Sequence, residues 1–253
     1  MRKTCVVRAT RPSMLSTRAR EMATCAHGRV PVGWFAVRRE AMLCPICSKR
    51  KPERFCPAKG EKICAVCCGT EREVTLDCPS DCVYLLAAHR YEDEHRKPIA
   101  PDEVPFPDVE FSPDFIHEHQ PVVSGLAEAV LEFAAGQPAL VDADAIAALA
   151  ALAETYRTLG SGLYYEKLPD AALPHALYRE LARFIEKSKQ QDAERTGFSR
   201  LRDRALFYLL VFLLRVARSR TNRRPRSRRF LEFLRAQFPQ SAAEQEAPRI
   251  IVP

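Results

Sequence analysis

Residues 44–82 read CPICSKRKPERFCPAKGEKICAVCCGTEREVTLDCPSDC, and they contain eight of the ten cysteines of this 253-residue chain. Two CxxC pairs, Cys44 with Cys47 and Cys64 with Cys67, are separated by sixteen residues, a spacing typical of structural zinc sites. The sequence has no secretory features, which favours reduced, metal-binding cysteines over a disulfide framework. The stretch therefore predicts a small zinc-binding module.

Eight thiolates are enough for two tetrahedral Zn²⁺ sites of four cysteines each. Adjacent residues of an extended chain point to opposite sides, so Cys67 and Cys68 are expected to face different ions. The predicted ligand sets are Cys44, Cys47, Cys64 and Cys67 for one zinc, and Cys56, Cys68, Cys78 and Cys82 for the other. Because imidazole is an equally good zinc ligand, His89 or His95 in place of Cys56 or Cys68 is the alternative.

Two other uses of cysteine fit the pattern less well. A redox CxxC pair belongs at a strand-to-helix turn within a βαβ unit, and no such pattern surrounds Cys44 or Cys64. A catalytic zinc keeps one coordination position open, whereas eight cysteines fill two sites. Cys5 and Cys25 lie outside the block and are expected to be incidental.

The pattern CPxC…C…CxxCCG…CPxxC over residues 44–84 resembles a cysteine signature of uncharacterised bacterial proteins in which a helical region follows. More loosely, it is similar to the crossed two-zinc fingers of the B-box and HIT types, which are protein-interaction modules. It departs from those fingers because Cys56 stands alone, where they have paired ligands and usually a histidine. The resemblance implies zinc binding and an interaction role, and it implies no reaction.

The chain after the cysteine block has the pattern of helices. Residues 83–96 predict a helix that follows the last cysteine pair, and five prolines between Lys97 and Gln120 exclude a helix interior there. Beyond this point apolar residues recur at steps of three and four. The predicted helices are 122–135, 142–159, 171–190, 198–220 and 226–238. The predicted fold class is mainly α, with a small two-zinc finger module followed by an α-helical bundle domain.

The predicted organisation has five parts. They are a basic extension at 1–41, the two-zinc module with its trailing helix at 42–97, a Pro-rich acidic linker at 98–121, the α-helical domain at 122–239 and a disordered tail at 240–253. The extension is expected to be disordered, or absent if translation starts at Met42, with a targeting or nucleic-acid-tethering role as the alternative. The longest apolar run, residues 205–214, is half the ~20 residues of a membrane-spanning helix. A cytoplasmic protein is expected.

The formal net charge of +7 comes from two basic segments with an acidic block between them. Residues 1–41 contribute +7, residues 100–159 contribute −10 and residues 160–253 contribute +9. The sharpest feature is an arginine patch without any acid: Arg215, Arg218, Arg220, Arg223, Arg224, Arg226, Arg228 and Arg229. Arginine forks match phosphate oxygens, so this patch is a candidate for nucleic-acid contact. The alternative is pairing with the linker, where residues 102–118 carry six acids and no base.

No Ser/His/Asp, Cys/His, Gly-rich phosphate loop or paired-carboxylate pattern is present, and this argues against an enzyme. The first prediction is a zinc-binding protein-interaction or regulatory adaptor with an unknown protein partner, no membrane partner and no small-molecule substrate. The second is a nucleic-acid-binding protein that uses the arginine patch. The third is an enzyme with a site near Tyr165 and Glu166, in the connection 160–170.

Overall fold

A computed structural model describes residues 43–163, 165–199 and 201–238. Helices dominate these ranges, which confirms the predicted fold class. Outside the described residues lie the basic extension, the C-terminal tail, Met42, Cys5 and Cys25.

Residues 43–82, the cysteine module, have little regular structure. Strands β1 (Arg54–Cys56) and β2 (Glu61–Ile63) pair in an antiparallel hairpin, and helix α1 (Ala65–Glu71) follows at once. The hairpin turn includes Gly60 with a φ of 70°, a conformation that glycine adopts without steric cost. This hairpin is an addition to the predicted elements, although the PAKG segment of its turn is a signal that indicates it.

Helix α2 (Val83–Glu94) begins where it was predicted and ends two residues earlier. The following segment contains more structure than an extended linker, because it has a 3-10 turn at Pro101–Glu103 and helix α3 (Pro113–Glu118). Pro113 lies in the first turn of α3, where a backbone N–H is not needed. Between these elements Val109 is 5% exposed and packs into the bundle core.

Five further helices form the bundle: α4 (Gln120–Gly136), α5 (Asp142–Gly160), α6 (Ala172–Thr196), α7 (Asp203–Arg220) and α8 (Arg229–Gln237). Each corresponds to a predicted helix, and the differences lie at the ends. Helix α6 runs six residues beyond its predicted end, because the added segment contains Gln191, Ala193, Glu194 and Arg195, which favour helix. It stops at Gly197, whose φ of 82° gives the usual left-handed helix end.

The apolar run 205–214 lies in α7, which packs mainly against α5. Leu206, Leu210 and Val211 have no exposed surface and belong to the main core cluster, together with Leu149 of α5. Burial of apolar surface therefore stabilises this part of the protein. Within the described residues, no helix is both long enough and apolar enough to cross a membrane.

A buried carboxylate fixes the start of α8. Asp142 is 1% exposed, and it accepts hydrogen bonds from Ser227 Oγ at 2.7 Å and from Phe230 N at 3.1 Å. Burial raises the pKa of Asp142, although these donors act in the opposite direction. The contact explains why α8 starts at Arg229 instead of the predicted residue 226, since Ser227 is turned toward Asp142.

Candidate metal centre

Four thiol groups converge in the cysteine module. The sulfur atoms of Cys44, Cys47, Cys64 and Cys67 all lie within 4.8 Å of one another. Three of these residues are buried and Cys47 is half-buried. Cys47 Sγ and Cys64 Sγ are 3.9 Å apart, and a tetrahedral zinc site with Zn–S bonds of about 2.3 Å places its sulfurs about 3.8 Å apart. The group therefore fits a metal ion, and its members are the first of the two predicted ligand sets.

Backbone turns hold these sulfurs in place. Ser48 N donates to Cys44 O at 2.7 Å, and the φ of 51° at Ser48 closes the turn that carries Cys44 and Cys47. Cys64 is the N-cap of α1, where its sulfur accepts the N–H of Cys67 at 3.4 Å. Cys64 N in turn donates to Cys44 Sγ at 3.3 Å. Such N–H donors stabilise thiolate over thiol.

The thiols of this group differ in acidity. Burial raises the pKa of Cys44, but N–H groups of Cys64, Cys47 and Ile46 donate to its sulfur and lower the pKa overall to about 6. For Cys67, burial and the three neighbouring thiols together raise the pKa to about 12. A divalent ion would replace the proton on Cys67 and offset the mutual repulsion of four thiolates.

One guanidinium lies beside the sulfurs. Arg50 forms a side-chain hydrogen bond with Cys64, and this bond, with the nearby Cys47 thiolate, raises the pKa of Arg50. Its carbonyl also accepts the Cys44 N–H at 2.8 Å. A site of four thiolates and one divalent ion has a formal charge of −2, so Arg50 compensates part of it.

The other four predicted ligands surround a different space. Cys56, Cys68, Cys78 and Cys82 all line a cavity of about 10 Å³, roughly the room that one water molecule needs. Burial raises the pKa of Cys78, and the nearby Cys82 and Cys56 raise it further. Their sulfurs are not gathered as closely as the first four, which are the one such group among the described residues. The structure shows one candidate metal centre.

The two histidines predicted as alternatives to Cys56 or Cys68 make other contacts in the structure. His89 is 4% exposed, with Nε2 located 3.3 Å from Glu73 Oε2 and Nδ1 located 3.3 Å from Glu232 Oε2. His95 is exposed and stacks on Tyr91 with ring centroids 4.0 Å apart. His89 thus pairs with the buried Glu73 and the half-buried Glu232, and His95 forms an aromatic pair at the C-terminal end of α2.

Glu73 connects the cysteine module to the bundle. Besides His89, its carboxylate accepts a hydrogen bond from Asn222 Nδ2 at 2.8 Å, and its carbonyl accepts Arg226 N at 2.8 Å. Burial raises the pKa of Glu73, but the donors His89 and Asn222 lower it overall. Sequence reasoning did not identify this cluster, because a single Glu and a single Asn 149 residues apart form no motif.

Part of the arginine patch contacts the linker. Arg215 donates to the carbonyls of Pro105 and Val109, both at 3.0 Å. Arg223 Nη1 lies 2.8 Å from Glu103 Oε1, and this bond lowers the pKa of Glu103. These two contacts agree with the alternative interpretation, in which the acidic linker folds back onto the arginines.

Other arginines of the patch contact the cysteine module. Arg224 Nη1 donates to Gly69 O at 3.1 Å and to Arg72 O at 2.6 Å, and Arg228 Nη1 lies 2.6 Å from Asp77 Oδ1. Of the remaining patch members, Arg226 lies 3.9 Å from Asp77, Arg229 pairs with Asp93, Arg220 stacks over Phe233 and Arg218 is exposed. Much of the patch thus contacts the linker and the cysteine module of the same chain. Contact with nucleic acid stays a prediction.

The connection between α5 and α6 holds the residues considered for an enzymatic site. Tyr165 is 64% exposed and Glu166 is exposed as well. The Tyr165 carbonyl accepts a hydrogen bond from Thr158 Oγ1 at 3.0 Å, which fastens the connection to α5. An enzymatic site here stays a prediction.

The resemblance noted for residues 44–84 rests on their cysteine pattern, and its coarser content agrees with the four-sulfur group at Cys44, Cys47, Cys64 and Cys67. The function therefore has to be argued from the chemistry of that group and of the surfaces around it. No protein-family model, curated protein or solved structure matches the chain.

Proposed function

We propose that this protein is a zinc-binding, non-enzymatic adaptor of the cytoplasm whose cysteine module presents a surface to a protein partner. The observation that carries the proposal is the convergence of four cysteine sulfurs within 4.8 Å. Thiolates in tetrahedral arrangement select zinc or iron among common metals. With four protein ligands the site has no open coordination position, so it serves structure and not catalysis.

The proposal includes a second zinc, bound by Cys56, Cys68, Cys78 and Cys82. These residues line one cavity, and the charges of Cys82 and Cys56 raise the pKa of Cys78. Cys67 and Cys68 are adjacent in α1, where successive residues are rotated by about 100°. That rotation supports their assignment to different ions. A second ion would draw four sulfurs together around a space that already excludes most water.

An interaction role is supported by apolar side chains that are exposed to solvent in the module and at the start of α2. Phe55 of β1 is 55% exposed, Val66 of α1 is 47% exposed and Val83 at the start of α2 is 68% exposed. Exposed aromatic and aliphatic groups supply much of the binding energy of protein interfaces. Reduced cysteines, which zinc binding requires, are the normal state in the cytoplasm.

Metal analysis of the full chain tests the zinc assignment. The wild-type protein is expected to contain two zinc ions, and Cys47→Ser and Cys82→Ser are each expected to retain one. Cys5→Ser, outside the cysteine block, is the matched control and keeps both ions. One zinc in the wild-type protein overturns the second site, and iron or no metal overturns the zinc assignment altogether.

Affinity capture from cell extract tests the adaptor role. A protein partner is expected to be recovered by the wild-type chain and by Phe198→Ala, which removes an equally exposed aromatic ring outside the module (64% exposed). Phe55→Ala and Cys47→Ser are expected to lose that partner, with the zinc content of Phe55→Ala unchanged. Equal recovery by all four proteins would show that the module is not the interaction surface.

A further inference from the structure

A cleft outside the metal centre lies between the C-terminal ends of α2 and α7. Its volume is about 350 Å³, within the range of small-molecule binding sites. Six cationic side chains line it: Arg96, Lys97, Arg218, Arg220, Arg223 and Arg229. One carboxylate, from Glu92, is also part of the lining. The cleft therefore concentrates positive charge from two segments, 96–97 and 218–229, that are more than a hundred residues apart in sequence.

Three of these cations are paired with acids at the rim. Arg223 pairs with Glu103, and Arg96 and Arg229 both pair with Asp93. These ion pairs fix the walls of the cleft and use up part of its charge.

The other three cations, Lys97, Arg218 and Arg220, form no direct ion pair within the described part of the chain, although Arg218 interacts with the charge of Glu103 at longer range. Lys97 and Arg218 are exposed. Arg220 is held by the ring of Phe233, with its guanidinium carbon 4.1 Å from the ring centroid, so its N–H groups are oriented without a carboxylate. The cleft thus keeps an excess of positive charge that an anionic ligand can neutralise.

An aromatic pair forms one wall of the same cleft. Tyr91 is 63% exposed, and its ring is stacked on His95 at an interplanar angle of 24°. His95 Nδ1 lies 2.8 Å from Tyr91 O, which holds the pair on the last turns of α2. Exposed aromatic rings beside cationic side chains are the arrangement that binds bases and phosphates of unpaired nucleotides.

We propose that this cleft binds a nucleotide unit, with a phosphate contacted by Lys97, Arg218 and Arg220 and the adjacent base stacked on Tyr91. The proposal goes beyond the zinc-dependent adaptor function and does not depend on it. It also differs from the use of the whole arginine patch, because Tyr91 and Lys97 of the N-terminal half complete the site. Single-stranded nucleic acid and a free mononucleotide share this chemistry, whereas the bases of a duplex are already stacked.

Fluorescence anisotropy with the full chain and a labelled twelve-residue oligothymidylate at low salt tests the proposal. Binding is expected, and Tyr91→Ala is expected to weaken it about 5- to 160-fold, the usual loss for one stacked base. Lys97→Ala combined with Arg218→Ala is expected to reduce the slope of log affinity against log salt by about 1.4. The matched controls, Tyr165→Ala and Lys187→Ala, remove an exposed ring and an exposed cation outside the cleft and leave binding unchanged.

Competition experiments distinguish the two candidate ligands, a free mononucleotide and single-stranded nucleic acid. Displacement of the labelled strand by thymidine monophosphate at a similar concentration of nucleotide units assigns the cleft to free nucleotides, and displacement by unlabelled strand alone assigns it to single-stranded nucleic acid. The proposal is overturned if neither ligand binds, if a duplex binds as tightly as the single strand, or if Tyr91→Ala and the double cation variant bind like the wild-type protein. Circular dichroism and zinc content verify that these surface variants are folded.

Discussion

The cysteine module and the helical bundle bury different kinds of side chain. In the bundle the core consists of Leu, Ala, Val, Ile and aromatic residues contributed by several helices. In the module, five of the seven residues of the buried cluster are cysteines, and only Ile63 and Leu76 are aliphatic. A segment of about 40 residues is too small to fold on apolar burial alone. In the proposed zinc-binding protein, the stability of the module therefore depends on a bound ion, whereas that of the bundle depends on packing.

Removal of the metal is expected to have the largest effect, and to be confined to the module. Chelation, or Cys44→Ser, withdraws binding energy on the order of 10 kcal/mol at neutral pH, as in zinc fingers. Hydrogen exchange is expected to show loss of protection over residues 43–82 with α5 and α7 still protected. Unchanged exchange in the module after chelation would mean that packing, and not metal, holds it.

Loss of packing in the bundle is expected to have an intermediate effect. Leu210→Ala removes a fully buried side chain of α7 and is expected to lower the free energy of unfolding by about 2–5 kcal/mol. Urea denaturation measures this value. Leu163→Ala, at a residue that is 67% exposed, is the control and is expected to change it by less than about 0.5 kcal/mol. Equal effects of the two substitutions would show that burial of Leu210 in the core does not stabilise the bundle.

The contact between the two regions is expected to give a smaller, pH-dependent effect. Burial lowers the pKa of His89, but Glu232 and Glu73 raise it overall to about 9. A histidine with a raised pKa contributes stability that is complete below about pH 6.5 and is lost as the pH rises toward 9. The zinc-loaded protein is thus expected to lose about 2–3 kcal/mol over this interval.

Denaturation at pH 6 and pH 9 checks this dependence on His89. His89→Gln is expected to reduce the difference between the two pH values, since the substituted side chain carries no proton that titrates. His117→Gln, at an exposed histidine, is the control and retains the difference. If His89→Gln shows the wild-type dependence, the charge on His89 does not stabilise the contact.

The sequence predicts the local features of this protein better than the contacts between distant segments. The bundle helices follow from apolar spacing and from stop signals such as Gly136 and Gly160, which act on neighbouring residues. The grouping of Cys44, Cys47, Cys64 and Cys67 follows from the spacing of two CxxC pairs, and the structure confirms that these four sulfurs meet. In each case the residues that determine the feature are close together in the sequence.

The cleft and the contact at Glu73 were not predictable in the same way. Asn222 reaches Glu73 across 149 residues, and Tyr91 joins Arg218 in the cleft only because α2 lies beside the end of α7. Such pairs form no sequence motif, because the residues are far apart in the sequence and become neighbours only in the folded structure. The short helix α3 was missed for a different reason: Pro113 is compatible with a first helical turn, although it excludes a helix interior.

The hydrogen bonds from Arg224 to the carbonyls of Gly69 and Arg72 can form only after Arg224 has been synthesised. Arg224 follows Gly69 by 155 residues, so at 5–20 residues per second a ribosome needs roughly 8–30 s to produce it. The four cysteines of the candidate metal centre, in contrast, have all been synthesised once Cys67 is added. The nascent module therefore exists for many seconds before the bundle is complete. If the proposed zinc is bound in that interval, it protects the thiols before Arg224 contacts the module.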